Sequence, residues 1–137
     1  EIRSERVSLA SSKIAKYTSV RKKLIDFQRK FSRGHGLIAD GRDMGSVIFP
    51  SADLKIFLTA SVKVRANRRY KELIARGENV SLRDLERRIA QRDKGDRERK
   101  VSPLIAGEGA IVIDASEKSV NEVKKEIIHY FDLIPSV

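Results

Sequence analysis

The residues with the greatest potential for chemistry form the run DGRDMG at positions 40–45. Its two glycines allow a tight turn and a close approach of the backbone to a ligand. Arg42 offers a planar guanidinium that matches the oxygens of a phosphate. Asp40 and Asp43 can accept from a sugar or a base, or hold Mg²⁺ through water. On spacing alone, an Asp-Gly turn with a salt-bridged arginine is an equally good interpretation.

A second group of candidate residues lies in the charged run at positions 92–100. If this run is helical, Arg92, Asp96 and Arg99 share one face, because their spacing is i, i+4 and i+7. That face could present two cations and one carboxylate to a nucleotide. The alternative is a solvated helix end with ion pairs between successive turns.

A third candidate group consists of Arg65, Arg68 and Arg69. Their spacing, i, i+3 and i+4, places them on one face of a predicted helix. Because like charges on one face repel each other, this arrangement indicates an anionic partner.

The composition excludes several kinds of site. The chain has no cysteine, which excludes disulfides, thiol nucleophiles and cysteine-bound zinc. His35 and His129 have no second ligand at metal-binding spacing, so no metal site is predicted. The sequence has no G-x-x-x-x-G-K-[ST] phosphate loop and no RNP or KH signature of RNA recognition.

Three short apolar runs, at 36–41, 54–58 and 110–114, predict the strands that position these residues. Nearly continuous apolarity, rather than alternation, favours a parallel sheet covered on both faces. The alternation of strands with helices predicts the α/β class. The DGRDMG run follows the first predicted strand at its carboxyl end, where open α/β sheets bind ligands. Three strands make a thin sheet for this class.

Apolar residues at helical spacing predict two consecutive helices, one from 7 to 17 and one from 20 to 31. Thr18 and Ser19 offer an N-cap at the break between them, and we expect the apolar stripes of both helices to be core. The second helix is expected to stop near Gly34. Serine N-caps predict three further helices, which begin after Ser61, Ser81 and Ser119.

Length and charge give the broad class of protein. With 137 residues and a net charge of +10, the chain is expected to form one domain with a polyanionic partner. Residues 1–35 hold ten Lys and Arg against three acidic residues, and residues 63–100 hold fourteen against seven. A phosphate-handling cleft can have this distribution of charge, whereas ordinary surface solubility accounts for most individual lysines. No apolar run reaches the roughly 20 residues of a membrane span, so we expect no membrane partner and a cytoplasmic location.

The sequence resembles the bacterial cytidylate kinase family in a series of motifs. The longest is GLIADGRDMGSVIFP at 36–50, and DGRDMG together with RD-x-x-D-R-x-R makes the likeness quite specific. The resemblance covers essentially all 137 residues. The remaining motifs are ASSKIA at 10–15, VR at 20–21, KIFLTAS at 55–61, RANRR at 65–69, RDKGDRER at 92–99, SPL at 102–104 and IVID at 111–114.

The resemblance implies a P-loop nucleoside monophosphate kinase of pyrimidine metabolism. Such an enzyme transfers the γ-phosphoryl group of ATP to CMP or dCMP, with Mg²⁺ accompanying ATP. The implied fold has three layers around a parallel sheet. Residues 1–35 correspond to the helical part of the CMP-binding insertion. Residues 36–137 correspond to the C-terminal part of the kinase core, including the LID at about 63–100.

The resemblance also implies which residues read the acceptor base. Ser12, Arg21 and Asp43 match the positions that bind the cytosine ring. A carboxylate can accept from the exocyclic amine, and an arginine can donate to the ring acceptors. Such polar readout rejects uracil, because uracil would leave buried polar groups unpaired.

The other acceptor-site residues implied by the resemblance handle phosphate and sugar. Arg42 and Arg99 match phosphate-binding positions, Asp96 matches the position that holds the sugar hydroxyls, and Arg92 belongs to the same cluster, on ribose or phosphate. Phosphoryl transfer spreads negative charge over the equatorial oxygens. Arg42, Arg92 and Arg99 are therefore the residues expected to act in catalysis, and no general base is required.

The ATP side of such an enzyme is represented only in part. Arg65 and Arg68 resemble cations near the LID that closes over ATP. A family member begins with a strand, a glycine-rich phosphate loop that cradles the ATP phosphates and holds Mg²⁺, and a helix; this sequence contains none of them. We therefore expect the C-terminal portion of a kinase, with the N-terminal strand and P-loop absent. The main Mg²⁺ ligands would lie in that segment, and a separate polypeptide that carries it is one partner that the resemblance suggests.

Two alternatives stay open beside the kinase that acts on CMP or dCMP with ATP. One is a basic RNA-binding module, motivated by the net charge of +10. The other is a P-loop kinase for a different small acceptor. If the chain is a kinase of this family, no nucleic acid is expected among its partners.

Overall fold

The computed structural model describes residues 5–15, 17–34 and 36–135. In this part of the chain no helix is long and apolar enough to cross a membrane. A 3-10 turn spans Lys30–Ser32 and a π-helical turn spans Met44–Ile48. The longer elements are, in chain order, α1 (Glu5–Ile14), α2 (Thr18–Arg29), β1 (Ile56–Thr59), α3 (Val62–Ala75), α4 (Leu82–Glu98), β2 (Ile111–Asp114) and α5 (Val120–Asp132).

The two strands form a parallel pair. Ile56 lies opposite Ile111 at one end, and Thr59 lies opposite Asp114 at the other. Helices α3 and α4 lie between the two strands in the chain. They form the crossover connection that two parallel strands need. The predicted α/β class with a parallel sheet is therefore confirmed, and the carboxyl ends of both strands meet at Thr59 and Asp114.

The prediction of a strand at 36–41 is wrong. This segment has no regular structure, and Ile38 is 101% exposed and Leu37 44%. An extended apolar segment becomes a strand only when a neighbour accepts its backbone hydrogen bonds. In the described residues the sheet consists of β1 and β2 alone, so the segment has no strand beside it.

The serine caps are confirmed at all three predicted positions. The hydroxyls of Ser61 and Ser81 each accept from the backbone N–H three residues later, at 3.3 Å. Ser119 forms the full reciprocal box, because the Glu122 carboxylate accepts in turn from the Ser119 N–H at 2.7 Å. The matching carboxylate at the second cap, Asp84, accepts instead from an arginine one turn later.

The buried apolar core lies between α3 and α4. Ala66 and Leu73 of α3 pack with Leu85 of α4, and all three are nearly inaccessible to solvent. This contact fixes α4 against the helix that follows β1. Partly buried residues surround the contact: Tyr70, Val80, Leu82 and Ile89.

The prediction that the apolar stripes of α1 and α2 are core is wrong, because most of their large apolar side chains are exposed. The break between them is confirmed, since α1 ends at Ile14 and α2 begins at Thr18. The N-cap residue of α2, however, is Tyr17, which makes no side-chain cap bond. Phe27 of α2 and Phe31 of the following 3-10 turn are 57% and 60% exposed, and their rings meet edge to face at 5.2 Å.

Candidate functional site

A small cavity brings together residues from four separate segments of the chain. We call it the arginine cavity; its volume is about 190 Å³. It lies where α1 and α2 meet the DGRDMG turn and the end of α4. All seven residues that the sequence assigns to the acceptor nucleotide are among its nine lining residues. The nine are Ser11, Ser12, Ala15, Arg21, Arg42, Asp43, Arg92, Asp96 and Arg99.

Asp96 is the centre of charge on one side of the arginine cavity. It is 3% exposed. Arg42 Nη1 lies 2.6 Å from its Oδ2, Arg92 Nε lies 3.9 Å from the same oxygen, and Arg99 Nη1 lies 3.6 Å from Oδ1. Arg92 and Asp96 face each other because they are one helical turn apart on α4, and Arg99 is the residue that ends this helix.

Asp43 forms the other side of the cavity. Its backbone carbonyl accepts from Val47 N at 2.9 Å and Ile48 N at 3.1 Å, so it starts the π-helical turn. Its side chain accepts a hydrogen bond from Arg21 Nη2, and both side chains are about nine-tenths buried. Arg21 Nε also donates to Ser102 Oγ at 3.1 Å. The Asp43 carboxylate is therefore held in one orientation by its own turn and by α2.

A second arginine of α2 holds the same turn. Arg29 Nε donates to the carbonyl of Ile48 at 2.8 Å, and Arg29 Nη2 donates to that of Val47 at 3.1 Å. Helix α2 is thus tied to the DGRDMG segment at two levels, by Arg21 and by Arg29. The sequence analysis missed Arg29, because an exposed helical arginine carries no signal of the π-helical carbonyls that it binds.

Positive charge exceeds negative charge in the arginine cavity, where four guanidinium groups face two carboxylates. Burial is the main cause that lowers the pKa of Arg21, and the charge of Arg99 adds to it. Burial likewise lowers the pKa of Arg99, although Asp96 opposes the effect. Burial also lowers the pKa of Arg92, with a further contribution from Arg42. An arginine remains protonated in a protein, so a bound anion would offset the cost of burying these positive charges close to one another.

One donor of the cluster is left over. Arg99 Nη2 is buried and has no hydrogen-bond partner among the described residues. A buried donor without a partner is costly, on the order of 1–3 kcal/mol, and is typical of a group that awaits a ligand. The surplus of two positive charges suits a phosphate monoester, which carries about −1.5 to −2 charges at neutral pH.

A larger cavity, of about 600 Å³, lies at the carboxyl ends of the two strands, and we call it the strand-end cavity. Thr59 and Asp114 line it, together with Arg65 and Asp93. Arg65 Nη1 donates to Asp93 Oδ1 at 3.0 Å and its Nη2 pairs with the other carboxylate oxygen. Arg65 therefore lies in a cavity suited to a ligand, but most of its charge is already neutralised. Lys94 adds a second cation to the lining.

Arg68 is not brought to either cavity. Its Nη2 donates to the backbone carbonyls of Ala115 at 2.6 Å and Lys118 at 3.1 Å. These bonds tie α3 to the loop that follows β2. The structure thus separates Arg65 from Arg68, which the sequence had grouped as cations for ATP.

We expect replacement of Arg68 by alanine to lower the free energy of unfolding by about 1–2 kcal/mol, because two carbonyls lose a charged donor. Urea denaturation followed by circular dichroism measures the change. Arg87→Ala is the matched control: Arg87 is 75% exposed beside Asp84, and such pairs contribute about 0–1 kcal/mol. Equal losses for the two variants would contradict a bracing role for Arg68.

No group of three or more metal-ligating side chains occurs in residues 5–15, 17–34 and 36–135. Asp40, considered above as an indirect Mg²⁺ ligand, is exposed and does not line the arginine cavity. The described residues therefore contain no cluster of side chains that could form an all-protein Mg²⁺ site.

Comparison with known proteins points to one family. A sequence model of the cytidylate kinase family matches residues 1–133. The cytidylate kinase of Methylococcus capsulatus is 54% identical over 113 residues, which are 82% of this chain and 51% of that protein. That of Nitrosococcus oceani is 47% identical over 127 residues, 93% of this chain and 56% of that protein. That of Ralstonia nicotianae is 46% identical over 136 residues, which are 99% of this chain and 59% of that protein. The chain thus spans between half and three fifths of the length of these relatives.

Proposed function

Because this chain belongs to the cytidylate kinase family, we propose that it acts in phosphoryl transfer from ATP to CMP or dCMP. The arginine cavity is the proposed site of the acceptor nucleotide. One observation carries the proposal: four arginines converge on two buried aspartates and keep a net positive charge, with a donor of Arg99 left over. A nucleoside monophosphate offers the matching anion and polar ring.

Arg42, Arg92 and Arg99 are proposed to bind the acceptor phosphate. A guanidinium nitrogen of each lies within 3.9 Å of a carboxylate oxygen of Asp96. Their donors are therefore oriented before the nucleotide binds. Such preorganised cations stabilise the negative charge that spreads over the transferring phosphoryl group. Asp96 is also proposed to accept from the sugar hydroxyls.

Ser12, Arg21 and Asp43 are proposed to read the cytosine ring. Arg21 binds Oδ2 of Asp43, so Oδ1 is the oxygen proposed to accept from the exocyclic amine of cytosine. Uracil has a carbonyl at that position, and two acceptors facing each other would leave both unpaired. This contact would make the site selective for cytosine.

The strand-end cavity is proposed for the phosphates of ATP, with Arg65, Lys94 and Arg97 as its cations. ATP supplies the transferred phosphoryl group, and Mg²⁺ accompanies it in this chemistry. The 137 residues contain no glycine-rich phosphate loop. We propose that this loop and the Mg²⁺ ligands come from polypeptide outside these residues, either joined to them or separate.

The division of the chain follows from these assignments. We propose that residues 1–35 form the helical part of the CMP-binding insertion, of which α1 and α2 supply Ser12 and Arg21. Residues 36–137 are the proposed C-terminal part of the kinase core. The segment at about 63–100, which contains α3 and α4, is the proposed LID.

Titration of the 137-residue chain with nucleotides tests the acceptor site. We expect CMP to bind about tenfold more tightly than UMP, since leaving one buried polar group unpaired costs about 1–3 kcal/mol and about 1.4 kcal/mol corresponds to a factor of ten. Isothermal titration calorimetry measures both affinities. A random-sequence RNA is the control, because the basic RNA-binding alternative predicts steeply salt-dependent binding without nucleotide preference. That result, or equal affinity for CMP and UMP, would contradict the proposal.

The isolated 137-residue chain is expected to show no phosphoryl transfer from ATP to CMP, because its sequence contains no glycine-rich phosphate-loop motif. Coupled detection of ADP measures turnover. The positive control is the same assay after addition of the N-terminal segment of the Methylococcus capsulatus relative. Turnover by the isolated chain would show that it needs no loop from elsewhere.

A further inference from the structure

Ser102 has a backbone conformation that its sequence does not predict. Its φ is +52°, and among the described residues it is the only non-glycine residue with a positive φ. It precedes Pro103, and the residue before a proline favours an extended backbone with negative φ. It is also 8% exposed. A strained conformation of this kind persists only where surrounding contacts enforce it.

The contacts of Ser102 are with two arginines of the arginine cavity. Its hydroxyl oxygen accepts from Arg21 Nε at 3.1 Å, and its backbone carbonyl accepts from Arg99 Nε. Arg21 belongs to α2 and pairs with Asp43, whereas Arg99 ends α4 and faces Asp96. One residue therefore links the two sides of the cavity.

The segment around Ser102 is itself fixed to α4. The backbone N–H of Leu104 donates to the carbonyl of Asp96 at 2.8 Å. The position of Ser102 is therefore set relative to the carboxylate at the centre of the arginine cluster. Arg21 and Arg99 repel each other, since the charge of Arg99 contributes to lowering the pKa of Arg21. Two acceptors on one residue can hold both cations in spite of this repulsion.

We propose that Ser102 is a positioning residue that fixes Arg21 relative to Arg99, so that one pyrimidine nucleoside monophosphate meets both. The left-handed backbone lets the hydroxyl and the carbonyl of one residue serve two guanidinium groups. This inference rests on the proposed function of the cavity, and it adds a residue to which the family resemblance assigned no role. The hydroxyl serves the base side and the carbonyl serves the phosphate side.

Two variants separate the hydroxyl from the backbone conformation. Ser102→Gly removes the hydroxyl, and Ser102→Asn keeps a side-chain oxygen that can accept. Both residues adopt positive φ more readily than serine, so neither should be destabilised by strain. Ser51→Gly, at an exposed position in a turn, is the control for the entropic effect of a new glycine.

The experiment measures the melting temperature and the affinities for CMP, UMP and inorganic phosphate in the 137-residue chain. For Ser102→Gly we expect about tenfold weaker CMP binding, as a hydrogen bond to a charged group is lost. The ratio of CMP to UMP affinity should fall by a similar factor. Phosphate affinity should stay within the range of the wild type and Ser51→Gly, and Ser102→Asn should retain most of the CMP preference. The melting temperature of Ser102→Gly should fall modestly, because Arg21 Nε loses its acceptor, so the ratio of CMP to UMP affinity is the decisive quantity.

Different failures have different meanings. If wild type does not prefer CMP, the proposed function of the cavity fails. If wild type prefers CMP and Ser102→Gly does so equally, the positioning role of Ser102 is overturned. An equal fall in CMP and UMP affinity for Ser102→Gly, or a loss of the CMP preference in Ser102→Asn, overturns it as well.

Discussion

Replacement of Asp96 by asparagine is expected to lower the free energy of unfolding by about 3–5 kcal/mol, the cost of leaving buried charge without its partner. The substitution preserves shape, so no cavity is created. It removes the one carboxylate that Arg42, Arg92 and Arg99 all face. The side chains of Asp96 and Arg99 are nearly buried, so water cannot easily solvate the charge that Arg99 would be left with. The three guanidinium groups would also repel one another at close range.

Urea denaturation of the chain, followed by circular dichroism, measures this loss. Glu98→Gln is the matched control, because Glu98 lies on the same helix, is 66% exposed and is 3.9 Å from its partner Lys94. Its effect should stay within about 0.5 kcal/mol. Inorganic phosphate should stabilise Asp96→Asn more than wild type, since an anion that binds only the folded state replaces the missing charge. A loss below about 1 kcal/mol would contradict the central role of Asp96.

The convergence on Asp96 was predictable from the sequence within one helix and not beyond it. Arg92 and Asp96 face each other because the helical period places them one turn apart. Arg99 lies just beyond the last helical residue, Glu98, with an extended backbone, and still comes within 3.6 Å of Asp96. Spacing could not show that Arg42 and Arg21 would meet them. Those two positions came from the likeness to a family, since a contact between distant segments leaves no periodic trace.

The failed predictions concern features that depend on a neighbour. The apolar run at 36–41 has the composition of a buried strand, but a strand needs a second one beside it, and local composition does not report whether one is present. Phe27 and Phe31 have the spacing of core residues, yet more than half of each is exposed. In both instances the sequence pattern identifies apolar side chains that could be buried. Whether they are buried depends on the elements that pack against them.

The backbone geometry of the arginine cavity could likewise not be predicted from the sequence. The residue before Pro103 is predicted to be extended, whereas Ser102 has a φ of +52°. The turn after Asp43 is π-helical, a rare form that frequently occurs at functional sites. Arg29 binds carbonyls of that turn. These features arise from the tertiary contacts of the arginine cavity, so they could be observed only in the folded chain.

Replacement of Asp43 by asparagine is expected to remove the preference for CMP over UMP. Arg21 Nη2 donates to one side-chain oxygen of Asp43, so an asparagine would keep its single oxygen toward Arg21 and present its amide N–H to the base. That N–H matches the carbonyl of uracil and not the amine of cytosine. We expect CMP affinity to fall by about tenfold or more, corresponding to about 1–3 kcal/mol for a lost buried contact. UMP affinity should fall less or rise, because the repulsion between two acceptors is gone.

The ratio of the two affinities is the decisive quantity, because Asp43 also supports the fold. Its carboxylate pairs with Arg21, and both side chains are nearly buried, so Asp43→Asn should lower stability as well. Loss of stability alone weakens CMP and UMP equally and leaves their ratio unchanged. Asp53→Asn, at an exposed position in the turn before β1, is the matched control and should preserve both affinities. If Asp43→Asn keeps the CMP preference of wild type while both affinities fall together, then Asp43 braces Arg21 and another group reads the base.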